Sequence, residues 1–410
     1  MRNNIALLHY SCPPVVGGVE EIVRQQASLF FRNHHHVKVL AGNGGPFTNE
    51  FDIEIQPLLS SRHSDILRIQ KNPEQHKAAL NGYSDRIYEY LSDSLKHYDT
   101  LIAHNVLSMH YNLPLTRALH KLADNRIINL VSWNHDSPFF YKIYPDYLNN
   151  SSWEIIRRYN KNIHYVTISE SRVEEFRKLY GEKGVRVQLI NNGIDPLRFF
   201  RLDRYTVRLI QEENLFTADL IMVQPSRLHP RKNIELSIKV LSDLRKTGLN
   251  AKLLLTGAYD PHEDKTKKYY HKLLRLSEQL DVQSHLIITA EYTFKSGEKL
   301  TADRVTIRDL YLISDILFMP SLQEGFGIPL LEAGMIKLPI ACSTIPPFKS
   351  IAASNVLYFE PDEQPHQIAL RLRAFLEDLP TYQMYRNVIR RYVWDNIYQF
   401  ELLPFLKTLN

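Results

Sequence analysis

The sequence holds only two cysteines, Cys12 and Cys342, in 410 residues. So few, and so far apart, they build no disulfide framework and suit a reducing compartment. No apolar run approaches the roughly 20 residues that a membrane-spanning helix needs. Blocks of like charge are missing as well. The 50 Lys and Arg are interleaved with 45 Asp and Glu, for a formal net charge of +5, which argues against a nucleic-acid groove. The mild basic surplus suits an anionic ligand or an acidic membrane surface. Met1-Arg2-Asn3-Asn4 leads straight into an apolar strand without a signal-peptide pattern, so a cytoplasmic location is expected. No G-x-G-x-x-G follows that strand, so a nicotinamide cofactor is not indicated. No D-x-D closes a strand, and Asp260, Glu263 and Asp264 read as acids at a helix N-terminus, so no metal is expected.

What is present is an ordinary globular composition, 44% hydrophobic and 23% charged, long enough for two or three domains with cores of their own. Short apolar segments alternate with amphipathic ones, the pattern of a parallel sheet covered on both faces. In the first half the strands are expected at 4–10, 37–41, 100–104, 127–133, 165–169 and 185–190. Residues 43–98 are polar and less periodic, with helical stretches near 65–70 and 83–95. His34-His35-His36 reads as a solvated turn, because adjacent side chains beside a strand alternate in direction and do not gather on a metal. Residues 196–218 lack an apolar period and read as a linker. A second alternation follows, with strands at 220–224, 251–256, 286–289, 315–319, 338–342 and 356–359 and aromatic-rich terminal helices.

The most informative stretch runs Pro320-Ser321-Leu322-Gln323-Glu324-Gly325-Phe326-Gly327-Ile328-Pro329-Leu330-Leu331-Glu332-Ala333. A buried strand precedes it, and Pro329 sits where a helix can start. The unpaired N–H groups of Leu330 and Leu331, with the helix dipole, favour an anion there. Gly325 and Gly327 let a ligand approach the backbone, and Glu324 and Glu332 suit neutral sugar hydroxyls. In the same half, Pro225-Ser226-Arg227-Leu228-His229-Pro230-Arg231-Lys232 places cations at a strand's carboxyl end, which suits a diphosphate. Each contact at about 4 Å is worth roughly 4 kcal/mol before desolvation, at an effective dielectric of 20.

Glu324 and Glu332, eight positions apart, resemble the E-x7-E signature of family 4 of the retaining glycosyltransferases, and Arg227 and Lys232 match that family's R-x4-K spacing. The resemblance covers most of residues 4–380. It implies an α/β GT-B fold, two Rossmann-like doubly wound parallel-sheet domains facing a deep cleft. The expected division is 1–195, with a C-terminal helix 388–410 crossing back so that Trp394 and Tyr398 pack there, and 196–387. It implies transfer of a hexosyl group from a nucleoside-diphosphate sugar, UDP-glucose or GDP-mannose foremost, to an acceptor hydroxyl with retention and without a metal. The donor is a substrate and no cofactor is implied. Under the resemblance Glu324 holds donor-sugar hydroxyls, Glu332 the ribose, and the backbone of Phe326, Gly327, Ile328, Leu330 and Leu331 the diphosphate beside Arg227 and Lys232. Gly17 and Gly18 match the family's loop near the donor phosphates, and His135 its histidine near the sugar O6. Tyr292 is a candidate for the base, and Asp136 and Asn105 for the acceptor. The turn Asn191-Asn192-Gly193-Ile194-Asp195 also resembles the family, whereas Ser343-Thr344-Ile345-Pro346-Pro347 departs from its usual G-G-x-P-E. The acceptor is expected to be a small molecule, a glycan or a lipid-linked molecule. Membrane contact through Leu29, Phe30 and Phe31 is the lesser expectation beside core packing. Two alternatives stand: a sugar-nucleotide 2-epimerase, which converts the donor without an acceptor, and a non-catalytic two-lobed sugar sensor.

Overall fold

The computed structural model describes residues 3–257 and 264–409. Asp260 and Glu263 and the side chain of Asp264 lie outside the described residues. The chain divides into two units, residues 1–195 with 392–410, and residues 196–391.

The first unit is built on a seven-stranded, all-parallel sheet. Its strands are β1 (Asn4–His9), β2 (His36–Ala41), β3 (Asp52–Ile55), β4 (Thr100–His104), β5 (Asn129–Asn134), β6 (Ile163–Thr167) and β7 (Val187–Leu189), in the order β3-β2-β1-β4-β5-β6-β7. The order reverses between β1 and β4, and ligands of open α/β sheets bind at the carboxyl ends of the strands at such a switch. β3 was not expected: it is a short edge strand whose residues are half-buried or exposed, so its apolar signal is weak. The helix Leu113–Asp124 was also unassigned, although Asn112 caps it by accepting from the Leu115 amide at 3.0 Å.

The helix Gly18–Arg32 buries Leu29 and Phe30 completely and leaves Phe31 about one-third exposed. Its apolar face is therefore mostly core. His35 corrects the solvated-turn reading of the histidine triplet. It is buried, its Nδ1 accepts from the Asn3 amide at 3.1 Å, and its Nε2 lies 2.7 Å from the Tyr398 hydroxyl. The segment after Tyr392 closes this unit. Ile194 N donates to Tyr392 O at 2.7 Å, and Trp394, Ile397, Leu402 and Leu406 join Val23, Ala27 and Phe30 in one apolar core.

The second unit carries a six-stranded parallel sheet. Its strands are β8 (Leu220–Gln224), β9 (Ala251–Leu255), β10 (Leu286–Ile288), β11 (Ile316–Met319), β12 (Ile340–Ser343) and β13 (Leu357–Phe359), in the order β10-β9-β8-β11-β12-β13. The reversal here falls between β8 and β11. The linker expected at 196–218 is instead structured: a helix spans Arg204–Glu212, Asp203 caps it, and Leu209 and Ile210 are buried. Its apolar face is too narrow to stand out among charges. Residues 388–391 stay with this unit because they end the helix Pro380–Arg391. That helix is pinned by Arg386, whose Nη2 donates to Ala218 O and whose Nη1 lies 3.6 Å from the buried carboxylate of Asp315, and by Arg390, 2.8 Å from Asp219.

Candidate active site

In the second unit the switch point brings together two loops far apart in sequence. Residues 225–232 leave β8, residues 320–327 leave β11, and these two strands are neighbours. The Leu322 amide donates to Arg231 O at 2.8 Å, tying loop to loop. The Lys232 ammonium pairs with Glu324, whose carboxylate also accepts from Ser321 Oγ at 2.8 Å and lies 3.4 Å from Arg231 Nη1. Lys232 and Glu324 are largely shielded, with side chains 12% and 9% exposed, so the pair works in a medium less screening than water. Beneath it, Gln224 reads the loop: its Nε2 donates to Lys232 O at 3.0 Å while Ser237 Oγ donates to its Oε1 at 2.7 Å. Arg227 stands exposed on the same loop and makes no ion pair among the described residues.

Gly327 precedes the helix Ile328–Met335 with φ of 122°, which an L side chain rarely adopts, and a Cβ there would lie 3.0 Å from the Phe348 ring. Pro329 follows in the first turn. One expectation fails at this point. The Leu330 amide is not open, because the tight first turn directs it to Gly327 O at 3.0 Å. Phe326, Ile328 and Leu331 expose their side chains beside the loop.

Glu332, on that helix, accepts a hydrogen bond from the Tyr311 hydroxyl at 2.8 Å. Burial first, and the Glu332 carboxylate second, push the Tyr311 hydroxyl up from its ordinary value, so it remains a donor. Both line a pocket of about 610 Å³, with Pro225 after β8, Thr256 after β9, and Arg304 and Arg308 from the helix Arg304–Ile313. Tyr292 does not line this pocket. Its hydroxyl donates to Glu213 at 2.7 Å and its ring packs edge-on to Phe294. Tyr311, Arg304, Arg308 and Thr256 were missed in the sequence. Tyr311 follows from helical spacing only once the helix before β11 is known.

The first unit's switch point is built differently. His9 ends β1, His104 ends β4, and His135 follows β5. His104 Nδ1 lies 3.2 Å from His135 Nε2, and Asn192 Nδ2 lies 3.3 Å from His135 Nδ1. His9 Nδ1 donates to His104 O at 2.7 Å, and its Nε2 faces Glu20 at 3.9 Å. Glu20 also accepts from Ser11 Oγ at 2.6 Å. Burial, with repulsion from His9, pushes His135 down to about 3. Burial also holds His104 well below its usual range. These rings are neutral at neutral pH.

Asn105 and Asp136 serve the same corner internally. Asn105, at φ of 60°, accepts from the amides of His135 (2.8 Å) and Asp136 (3.1 Å) through its Oδ1. Asp136 pairs with Arg172 at 3.1 Å and accepts from the Tyr141 hydroxyl at 2.6 Å. His135 is thus oriented by His104 and Asn192, not by Asp136. Gly17 precedes the helix Gly18–Arg32 in extended backbone, and a Cβ there would meet the Glu20 carboxylate at 2.1 Å. At Gly18 a Cβ would meet open space. His9, Glu20 and His104 were not singled out in the sequence. Their one signal is position at strand ends.

No group of three or more His, Cys, Asp or Glu among the described residues has the geometry to hold a metal ion. No described helix is long and apolar enough to cross a membrane.

Two family models match end to end along the chain. Residues 16–198 match Glycosyltransferase Family 4, and residues 208–392 match Glycosyl transferases group 1. Mannosylglucosylglycerate synthase of Petrotoga mobilis is 26% identical over 373 residues, which are 84% of this chain and 83% of that protein. The O-antigen chain mannosyltransferase RfbU of Salmonella typhimurium is 26% identical over 306 residues, 72% of this chain and 71% of that protein. A shorter stretch of 70 residues, 17% of this chain and 8% of that protein, is 41% identical to the serotype-specific mannosyltransferase WbdA of Escherichia coli. Paired parallel sheets, the acidic and basic loops at the second switch point, and these matches over both halves agree: the chain belongs to the group 1 glycosyltransferases of family 4 and is a glycosyltransferase.

Proposed function

We propose that the protein moves a hexosyl group from a nucleoside-diphosphate sugar to an acceptor hydroxyl, with retention at the anomeric carbon. The observation that carries this reading is the Lys232–Glu324 pair at the β8/β11 switch point, beside the exposed Arg227 and the start of the Ile328–Met335 helix. Lys232 and Arg227 balance the diphosphate as it takes on charge, together with backbone N–H groups of Phe326, Gly327, Ile328 and Leu331. This is electrostatic preorganisation, with no divalent ion required. Glu324, held by Lys232 and Ser321, keeps a fixed carboxylate for the donor-sugar hydroxyls. Glu332, aligned by Tyr311, receives the ribose hydroxyls. In the first unit His135 is neutral and donates to, or accepts from, a sugar hydroxyl, with Gly17 and Gly18 leaving room for the donor phosphates. Asp136 and Asn105 shape the acceptor side. The names of the three relatives given above, each with a mannosyl product or activity, favour mannose as the transferred hexose.

The test is transfer from labelled nucleotide sugars to a panel of acceptors, with Arg227→Ala and Lys232→Ala beside the parent. Loss of turnover by about 100-fold or more in both, with folding retained, is expected. Near-normal turnover in either would refute the assignment. Conversion of the sugar nucleotide without any acceptor would instead favour the epimerase.

A further inference from the structure

The pocket beside Glu332 has an uneven supply of hydrogen-bonding groups. Its apolar wall is made by Pro225, Ile307 and Met335, and its charged rim by Arg304 and Arg308. The two arginines are four residues apart on one helix and so share a face. Arg308 is held by Asp309, to which its Nε donates at 2.9 Å and its Nη2 also donates, leaving the Nη1 side of its fork. Asp309 is itself fully buried and accepts from the Asp203 amide at 2.7 Å. Arg304 is exposed and makes no ion pair among the described residues. A guanidinium offers five donors in a rigid fork and no acceptor. Glu332, the one carboxylate lining the pocket, already receives Tyr311.

We propose that this pocket takes the nucleobase of the donor and that Arg304 and Arg308 select guanine, making the donor a guanosine-diphosphate sugar. The inference rests on the reading above, in which Glu332 holds the ribose, and it names the base that reading leaves open. A donor fork is matched by two adjacent acceptors. Guanine offers them as O6 and N7, whereas adenine sets an amino donor beside N7. Uracil separates its two carbonyl oxygens by an N–H donor that would face the guanidinium. The flat ring would lie against Pro225, Ile307 and Met335, where burial of apolar surface adds affinity without regard to base.

Isothermal titration of the full chain with GDP, UDP and ADP, repeated on Arg304→Met and on the Arg304→Met/Arg308→Met double variant, tests this. The parent should bind GDP roughly ten- to hundredfold more tightly than ADP, the discrimination expected of one good bidentate pair. In Arg304→Met that ratio should fall towards one with the affinity for ADP unchanged, and the double variant should retain no preference. Arg304 is exposed and makes no ion pair among the described residues, so the single variant decides the question even where loss of the Arg308–Asp309 pair weakens the fold. If UDP or ADP binds the parent as tightly as GDP, or if the ratio survives in Arg304→Met, guanine selection by this pair is wrong while the glycosyltransferase reading stands. Binding of none of the three diphosphates would overturn both.

Discussion

The two switch points solve the same topological situation with opposite electrostatics. In the second unit β8 and β11 present full charges: Lys232, Arg227 and Arg231 against Glu324. In the first, the neutral rings of His9, His104 and His135 gather at the ends of β1, β4 and β5. Charged groups at a site can balance a charge that forms on a leaving group. Neutral rings can recognise hydroxyls without repelling or trapping anything ionic. The contrast teaches that an identical sheet reversal dictates where a ligand goes, and only the residues at the strand ends dictate what it is.

The largest test of the contrast strikes the charged corner. Lys232→Ala removes the nearer of the two cations that face Glu324, leaving Arg231 at 3.4 Å, and should lower turnover by about 100- to 1000-fold. It leaves a shielded carboxylate with only Ser321 and the more exposed Arg231, so a stability loss of roughly 1–3 kcal/mol should appear in urea titration. Lys232→Met with Glu324→Gln should recover much of that stability and none of the activity. Full recovery of activity would show that the pair is merely structural.

Next in size is the neutral corner. His104→Phe keeps an aromatic ring and removes the bond to His135. About a tenfold fall in turnover is expected, with roughly 1–2 kcal/mol of stability. His104→Gln, which can still bond His135, should recover part of the turnover. An equal loss in both variants would mean that His104 only fills space.

A smaller effect is expected from Tyr311→Phe. The Glu332 carboxylate then keeps its place but loses one donor at 2.8 Å. KM for the nucleotide sugar should rise several-fold with turnover nearly unchanged, since the bond acts on binding. A fall in turnover at constant KM would move Tyr311 into the chemistry.

The smallest effect sharpens the comparison through pH. In the folded first unit His135 titrates near 3 and His104 well below its usual range, while in the unfolded chain both titrate near 6.5. The unfolded state therefore takes up protons that the folded state refuses, and stability of this unit should fall as pH drops from about 6.5 towards 3. Asp315 in the second unit is raised by burial to about 6 despite Arg386. Its contribution has the opposite sign, being lost as pH rises from about 3.8 to 6. All three tryptophans, Trp133, Trp153 and Trp394, belong to the first unit. Their fluorescence follows that unit alone, and an unfolding midpoint that does not decline on acidification would contradict the neutral-ring description.

Legibility in the sequence follows the same divide. Glu324, Gly327 and Glu332 lie within nine consecutive residues, Arg227 and Lys232 within six, so local spacing alone displays them. His9, His104, His135 and Asn192 come from four separate strand ends, and only the sheet order brings them side by side. Tyr311 and the two arginines stayed hidden because the helix Arg304–Ile313 had not been recognised between β10 and β11. The strands themselves were plain wherever burial on both faces gave an unbroken apolar run, as in Leu220–Gln224. The edge strand Asp52–Ile55 and the helix Arg204–Glu212, each half-buried and rich in charge, were not.

The return of residues 392–409 to the first unit bears on how the polypeptide is made. Ile397, Leu402 and Leu406 complete a core begun by Val23 and Phe30, yet the ribosome delivers them after the whole of the second unit. The nascent first unit must therefore wait, with that apolar surface uncovered, while nearly two hundred further residues emerge (196–391). Over that interval, at about 5–20 residues per second, a chaperone has on the order of ten seconds or more to engage it.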